Sequence, residues 1–109
     1  MTGSKVVVGL FTFTITLILA CANPALTHVD LGDEYTKQSQ WEQAIAEYTR
    51  AIELDPKLAV AYNNRAYAYW SLGRRTQAIA DLEMVMKISA DPDLTRLARE
   101  LLRRLRQGW

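Results

Sequence analysis

The sequence has few of the residues from which catalytic and metal centres are usually built. Among 109 residues there is one cysteine, Cys21, and one histidine, His28. A single cysteine cannot form an intramolecular disulfide framework, and one histidine is too little for a structural zinc site. No glycine-rich phosphate loop and no local Ser-His-Asp or Cys-His motif is present. The sequence therefore predicts no cofactor, no metal and no enzymatic activity.

A strong excess of charge is also missing. The chain has 13 Lys and Arg against 12 Asp and Glu, for a net charge of +1. This balance argues against a nucleic-acid partner. The charges are nevertheless unevenly placed, because residues 23–56 contain seven acidic and two basic side chains, whereas residues 57–109 contain five and ten. Such polarity favours head-to-tail contacts or a partner of matching polarity; two solvated faces with a chance imbalance are the alternative.

One long hydrophobic run stands at the start of the chain. It extends from Val6 to Ala20 without a charge and follows the basic Lys5. This anatomy is typical of an export signal, and the run is shorter than the roughly 20 residues that a membrane-spanning helix needs. We expect residues 1–22 to be a signal peptide, a lipoprotein signal or, alternatively, an uncleaved membrane anchor. Only Asn23-Pro24 separates this segment from the first helix and is expected to be a hinge.

Two processing sites overlap at the end of this run. Ala20-Cys21-Ala22 offers cleavage after Ala22, and Ile18-Leu19-Ala20-Cys21 resembles a bacterial lipobox, although Leu19 stands where a small residue is usual. A leftover thiol in an exported protein is unusual; lipidation would consume it and cleavage after Ala22 would discard it. Of the two, lipidation of Cys21 is the favoured prediction. The prediction is an exported, membrane-associated protein, with a soluble periplasmic or secreted protein as the alternative.

The rest of the chain is dominated by a period of 34 residues. Residues 25–58 and 59–92 are two copies of one pattern. In each copy, small and apolar residues recur three or four apart, which is the spacing of one helical face. A period of this length indicates stacked helical units, because one unit alone cannot bury its apolar face. The pattern predicts helices over 26–38, 41–54, 58–72 and 75–88. The corresponding residues are Gly32 and Ala66, Tyr35 and Tyr69, Ala44-Ile45 and Ala78-Ile79, Tyr48 and Leu82, and Ala51 and Val85.

This pattern resembles the tetratricopeptide repeat over about two thirds of the chain. Departures from the family pattern are Arg65 for a leucine, Val85 for an alanine, Ala90 for a proline and His28 for an aromatic residue. The resemblance implies an all-α fold, with two helical hairpins in a right-handed α-solenoid that binds proteins. The matching residues are Gly32, Tyr35, Ala44, Tyr48, Ala51 and Pro56 in the first copy, and Tyr62, Ala66, Tyr69, Leu72-Gly73 and Ala78 in the second.

A fifth amphipathic helix is predicted over residues 93–106, with Asp91-Pro92 as its start. Since a solenoid needs a polar-faced terminal helix, we expect residues 93–109 to be a C-terminal cap. Its arginine stripe is expected to be solvated; a membrane surface or a nucleic acid is the alternative. The apolar stripe is Leu94, Leu97, Ala98, Leu101 and Leu105, and the arginine stripe is Arg96, Arg99, Arg103 and Arg106.

The family resemblance also implies a concave groove lined by the first helix of each repeat. For Asp33 the alternative to the groove is a solvated helix face, which is also expected for Glu34. Tyr67 and Trp70 offer large contact areas of the kind found in binding hot spots; their alternative role is packing on a neighbouring helix. The groove positions are Val29, Asp33, Thr36 and Lys37 in the first copy and Asn63, Asn64, Tyr67, Trp70 and Ser71 in the second. Of these, the candidate partner-binding residues are Asp33, Lys37, Asn63, Asn64, Tyr67 and Trp70.

Some family members bind the acidic carboxyl ends of heat-shock chaperones through a clamp of lysine, arginine and asparagine. Asn64 and Arg65 resemble the middle of that clamp. Its other positions hold residues that do not fit, namely Val29, Asp33, Leu94 and Ala98, so this activity is not expected. The expected function is a membrane-tethered adaptor that binds a partner peptide or helix in the assembly of an envelope complex. The alternative is a self-associating structural module, because two repeats are fewer than the usual three.

Overall fold

The computed structural model describes residues 22–108, and all regular secondary structure in that range is helical. The helices are α1 (Pro24–Lys37), α2 (Trp41–Leu54), α3 (Ala59–Ser71), α4 (Arg75–Ile88) and α5 (Pro92–Arg106). This confirms the predicted all-α solenoid, and each helix end lies within two residues of its predicted position. The predicted signal segment and Cys21 lie outside the described residues. None of the helices within residues 22–108 has the length and apolarity to cross a membrane.

The helices form two stacked hairpins and a terminal cap. α1 packs on α2 and α3 on α4, while α2–α3 and α4–α5 contacts join the units in chain order. Each hairpin has its own apolar cluster, built around the fully buried Tyr48 in the first and Leu82 in the second. Alanines with no exposed surface, such as Ala44 and Ala78, let the paired helices approach closely.

The two hairpins solve the same packing problem with different pairs of residues. At Gly32 a Cβ atom would lie 2.7 and 2.8 Å from the Cδ1 and Cζ atoms of Tyr48, so the tyrosine ring requires a glycine opposite it. The second copy places Ala66 and Leu82 at these positions, and both are fully buried. Because Leu82 is smaller than Tyr48, the second hairpin has room for an alanine where the first requires a glycine.

The turns inside the hairpins repeat as well. Ser39 and Gly73, which are 34 residues apart, both have a left-handed backbone, with φ of 56° and 73°. The amide that follows each of them donates to the carbonyl of Tyr35 or Tyr69, at 2.9 Å for Gln40 and 2.8 Å for Arg74. This is the hydrogen-bond pattern that closes a helix on a left-handed residue. Ser39 adopts it without the conformational freedom of glycine.

Asn23-Pro24, expected to be a hinge, is instead the start of α1. The Asn23 side chain accepts a hydrogen bond from the amide of Ala25 at 3.0 Å, and Pro24 is the first helical residue. An asparagine cap followed by proline is a common helix start, because the cap satisfies a free amide and proline has none to satisfy. Asp91 caps α5 in the predicted way, accepting from the amide of Asp93 at 2.9 Å.

The cap helix covers α4 with most of the predicted stripe, since Leu94 and Leu101 also pack against the second cluster, but Leu102 takes part and Leu97 does not. Ala98, Leu102 and Leu105 are buried against the second cluster. Leu97 was assigned to the buried stripe, and this was wrong, because its side chain is 59% exposed. Adjacent residues on a helix differ by about 100° in direction, so Leu97 and Ala98 cannot both face the centre of the buried stripe.

An ion pair lies buried inside the second hairpin. Arg65, one of the four residues that depart from the family pattern, donates two hydrogen bonds to Asp81, each of 2.8 Å, and a third to Thr49 of α2 at 3.0 Å. Its guanidinium also lies 5.7 and 5.6 Å from the ring centres of Tyr62 and Tyr69. Burial alone would lower the pKa of Arg65, but the bonds and charge of Asp81 outweigh it and raise the pKa. Asp81 and Thr49 therefore hold the Arg65 side chain inside the protein.

Candidate partner-binding groove

The alternate helices α1, α3 and α5 enclose a cavity of about 560 Å³ on one side of the array. All six candidate partner-binding residues line it. Val29 does not, because it is 5% exposed and belongs to the core of the first hairpin. Ser71 is also outside; its hydroxyl donates to the carbonyl of Tyr67 at 2.9 Å. The lining residues are Asp33, Thr36, Lys37, Tyr48, Asn63, Asn64, Tyr67, Trp70, Leu97, Glu100, Leu101 and Arg104.

An aromatic ladder runs along one wall of the cavity. The ring of Tyr67 meets those of Trp41 and Trp70 edge to face, with centroid distances of 5.8 Å in both pairs. Trp41 is partly buried against the first cluster, whereas Tyr67 and Trp70 remain 43% and 40% exposed. Two of the three rings are therefore held in place by neighbours and still offer their surface to a ligand.

The opposite wall comes from the cap helix, and the sequence analysis missed it. Leu97, Leu101 and Arg104 stand 34 residues after Asn63, Tyr67 and Trp70 and occupy the same register of the groove. The repeat period therefore continues into α5, although α5 has no hairpin partner. Extending the 34-residue period past residue 92 would have identified these three residues as groove positions.

A hydrogen-bonded network ties the first hairpin to the floor of the cavity. The Tyr48 hydroxyl donates to Asp33 Oδ1 at 2.6 Å, and Asn64 Nδ2 donates to the same oxygen at 2.9 Å. The Thr36 hydroxyl lies 3.0 Å from the Tyr48 oxygen and donates to it, because the single tyrosine proton is engaged by Asp33. Burial, followed by the bond to Asp33, raises the pKa of Tyr48, which stays a donor. Asp33 is thus a partnered group, contrary to the expected solvated carboxylate.

The remaining polar side chains give the cavity its charge. Lys37 donates to Glu34 at 2.7 Å, and this bond raises the pKa of the lysine. Glu100 accepts hydrogen bonds from Arg103 and Arg104, which lower the pKa of the glutamate to about 2. The buried Oδ1 of Asn63 has no hydrogen-bond partner within residues 22–108. Amide and charged groups therefore surround an apolar centre of Tyr67, Trp70, Leu97 and Leu101.

The arrangement of the cavity suits binding. Within the described part of the chain, no three His, Cys, Asp or Glu side chains gather closely enough to hold a metal ion. The lone His28 lies outside the cavity lining and is bonded to Glu47, with 2.6 Å between Nδ1 and Oε2. What the cavity offers is a preformed apolar surface with oriented polar groups around it, the usual composition of a recognition site.

Comparison with known families agrees with the repeat register. A family model described as "TPR repeat" matches residues 32–73, and one described as "Tetratricopeptide repeat" matches residues 59–92. Together the two matches span residues 32–92, more than half of the chain.

Similar proteins share the repeats over part of their length. Small glutamine-rich tetratricopeptide repeat-containing protein beta of Homo sapiens is 48% identical over 54 residues, 50% of this chain and 18% of that protein. Hsp70-Hsp90 organizing protein 1 of Glycine max is 37% identical over 65 residues, 60% of this chain and 11% of that protein. The chain thus spans less than a fifth of either relative.

Among solved structures, the first TPR of Spaghetti (RPAP3) bound to the HSP90 peptide SRMEEVD has a TM-score of 0.47 and 21% identity. The similarity covers 78% of this chain and 92% of that one.

Proposed function

We propose, from the premise that this chain belongs to the tetratricopeptide repeat family, that it is an interaction adaptor whose groove binds a segment of another protein. The observation that carries this proposal is the exposure of Tyr67, Trp70 and Leu97 in one cavity. Aromatic and aliphatic groups held in place before binding lose little conformational freedom when a ligand arrives. We expect the bound segment to insert an apolar side chain between the aromatic ladder and the cap helix.

The groove chemistry favours a partner other than an acidic carboxyl end. The Spaghetti domain is bound to an HSP90 peptide, and the Glycine max relative carries Hsp70 and Hsp90 in its name. In this chain Asp33 lies in the cavity floor, Val29 is buried and Arg65 is bound to Asp81. A terminal carboxylate placed beside Asp33 would meet a like charge, and the basic lining residues Lys37 and Arg104 already pair with Glu34 and Glu100. We therefore propose an apolar segment whose backbone is oriented by Asn63 and Asn64.

The groove assignment can be tested by placing a photo-crosslinking amino acid at Leu97 in the native host. The expected result is a crosslink to one defined segment of a partner, mapped by mass spectrometry. Leu54 is the matched control, since it is an exposed leucine of α2 outside the cavity lining. Equal crosslinking from both positions would contradict the proposal.

The mapped segment, made as a peptide, then gives an affinity. Leu97→Ala and Trp70→Ala should each weaken binding by about 1–2 kcal/mol, the scale of a hot-spot residue. Leu54→Ala should leave the affinity unchanged. Circular dichroism melting checks that the variants stay folded, and a folded Trp70→Ala protein that binds at full strength would show that the groove is not the site.

We also propose that the adaptor is exported and attached to a membrane in the assembly of an envelope complex. The support is the charge-free run from Val6 to Ala20 after Lys5 and the single cysteine at its end. The proposed product lacks residues 1–20 and carries a lipid on Cys21. The intact mass of the protein isolated from host membranes would check this. The control is Cys21→Ala, which cannot carry the lipid and should therefore be absent from the membrane fraction. A mature chain beginning at Asn23 without acyl mass would favour a soluble exported protein instead.

A further inference from the structure

The first end of the helical array presents an uncovered packing surface. α1 packs on α2, and its outer side carries Leu26 and Leu31, which are 45% and 44% exposed. The repeat register identifies this surface. Leu26 corresponds to Val60, which packs against the first cluster, and Leu31 corresponds to Arg65, which donates to Thr49 of α2. The α1 side that would meet a preceding helix is therefore open within the described chain.

This surface is also acidic. We define the head face as Leu26, Asp30, Leu31 and Glu34; the last three line a shallow depression along α1 together with Thr27, Asp33 and Lys37. Asp30 forms no ion pair with any residue between 22 and 108, and Glu34 pairs with the exposed Lys37. Two leucines among carboxylates are a surface that a basic partner with some apolar area would cover.

The last end of the array has the opposite charge. We define the tail face as Arg96, Arg99, Arg103 and Arg106 of α5. Two of these correspond to Tyr62 and Tyr69, which in the second hairpin pack in the cluster shared with α4. The tail face is thus where a following helix would lie. It surrounds a depression lined by Arg99, Leu102, Arg103, Arg106 and Gln107, and Arg99 has no ion-pair partner among the described residues.

We propose that the head face of one copy docks on the tail face of a second copy, so that the chain associates head to tail. Charge complementarity selects the second copy, because two heads or two tails repel each other while a head and a tail attract. The contact joins different surfaces and therefore builds rings or open chains of copies rather than a closed pair. Neither face includes Tyr67, Trp70 or Leu97, so this association goes beyond the groove and leaves it open.

Sedimentation equilibrium of the full chain, in a nonionic detergent matched in density by the buffer, tests the proposal. At an ionic strength of about 0.02 M the average mass should climb with protein concentration. At about 0.5 M it should return to that of one copy, because salt screens contacts between exposed charges. A single-copy mass at every concentration in low salt would overturn the proposal.

Charge reversal makes the test specific to the two faces. The head variant Asp30→Lys/Glu34→Lys and the tail variant Arg99→Glu/Arg103→Glu should each remain single copies. Their equimolar mixture should regain the high mass, because every contact then joins an acidic face to a basic one. The control Lys57→Glu/Lys87→Glu has the same charge change as the tail variant at exposed lysines of other elements, and should associate like the native chain.

A mixture that fails to regain mass from folded variants would overturn the proposal. Circular dichroism establishes folding, and Arg96→Glu/Arg99→Glu is a second tail variant that leaves the Glu100–Arg103 pair intact. Anionic-lipid vesicles provide the other arm. A native chain that stays a single copy but sediments with these vesicles through its arginines would assign the tail face to lipid and equally overturn the proposal.

Discussion

The two hairpins share one backbone register but place their polar contacts on opposite sides. In the first, Asp33, Thr36 and Tyr48 form a network at the groove. The second copy has Tyr67, Trp70 and Leu82 at these positions. Leu82 has no hydroxyl to engage the groove residues, and the two aromatic side chains stay at the surface. The first hairpin therefore satisfies its groove side internally, whereas the second leaves its groove side open to the proposed ligand.

Away from the groove, it is the second hairpin that satisfies its polar side chains internally. The second hairpin buries the Arg65–Asp81 pair, with side chains 16% and 7% exposed. The corresponding residues of the first hairpin are Leu31, which is exposed, and Glu47, which pairs with the half-buried His28. One repeat pattern thus yields one hairpin with exposed aromatic groove residues and another with an exposed apolar outer side, according to where a few polar residues stand.

The largest expected effect comes from removing the cap, residues 92–109. This would expose Leu82 and Val85 and lose the burial of Leu102 and Leu105, each leucine contributing about 1.5–3 kcal/mol. That sum is comparable with the roughly 5–15 kcal/mol that stabilise a typical domain. Hydrogen exchange should show α4 losing protection before α2. Removing only residues 107–109 is the control, and a truncated protein that melts within a few degrees of the full chain would show that α5 is not a cap.

Next in size is the buried ion pair. Asp81→Ala should destabilise the protein by about 3–5 kcal/mol, because the Arg65 charge would stay buried without its partner. Glu47→Ala, its counterpart in the first hairpin, should lose less than about 1 kcal/mol, since that pair is more exposed. Urea unfolding measures both. The double change Arg65→Leu/Asp81→Leu should recover most of the loss, and equal effects of the two alanine changes would refute the contrast between the hairpins.

A smaller effect is expected from exchanging the packing pairs. Gly32→Ala should destabilise by about 1–3 kcal/mol, because the new methyl group would overlap the Tyr48 ring. In a background of Tyr48→Leu, which copies the second hairpin, the same change should be neutral or favourable, since alanine is the better helix residue by about 1 kcal/mol. A thermodynamic cycle of the four proteins gives the coupling. Additive effects would mean that the glycine is not required by the ring.

The smallest expected effect concerns the left-handed turn residues. Ser39→Gly should raise stability by about 0.5–1 kcal/mol, because a side chain in this conformation is strained and glycine gives back part of the gain as chain entropy. Gly73→Ala should have the opposite sign at the matching turn. Thermal melting would resolve both, and a destabilising Ser39→Gly would show that the serine side chain contributes more than its backbone strain.

The sequence was informative wherever the 34-residue period applied. Period and helical spacing located the five helices of residues 22–108, because small residues at fixed intervals mark where helices touch. Leu97 was misplaced because a helical stripe gives a face but not its exact centre, and a shift of one residue turns a side chain by about 100°. Val29 and Ser71 were assigned to the groove from the family resemblance, and neither lines the cavity.

The polar contacts could not be read in the same way. Asp33 finds Tyr48 and Asn64, and Arg65 finds Asp81, at separations of 15 to 31 residues that no local pattern encodes. The binding role of the six groove residues stays a prediction that the proposed crosslinking addresses.

The Asn23 cap would limit how far the helical array can extend from a membrane if Cys21 carries the proposed lipid. Helix α1 begins at Pro24, three residues after Cys21, and an extended chain covers at most about 3.6 Å per residue. A lipid on Cys21, as proposed, would hold the start of α1 within about 11 Å of its point of attachment. The groove could then search only a thin layer of space above the bilayer. A partner confined to the same layer would meet it at high effective concentration, so that even a weak peptide contact would suffice for recognition.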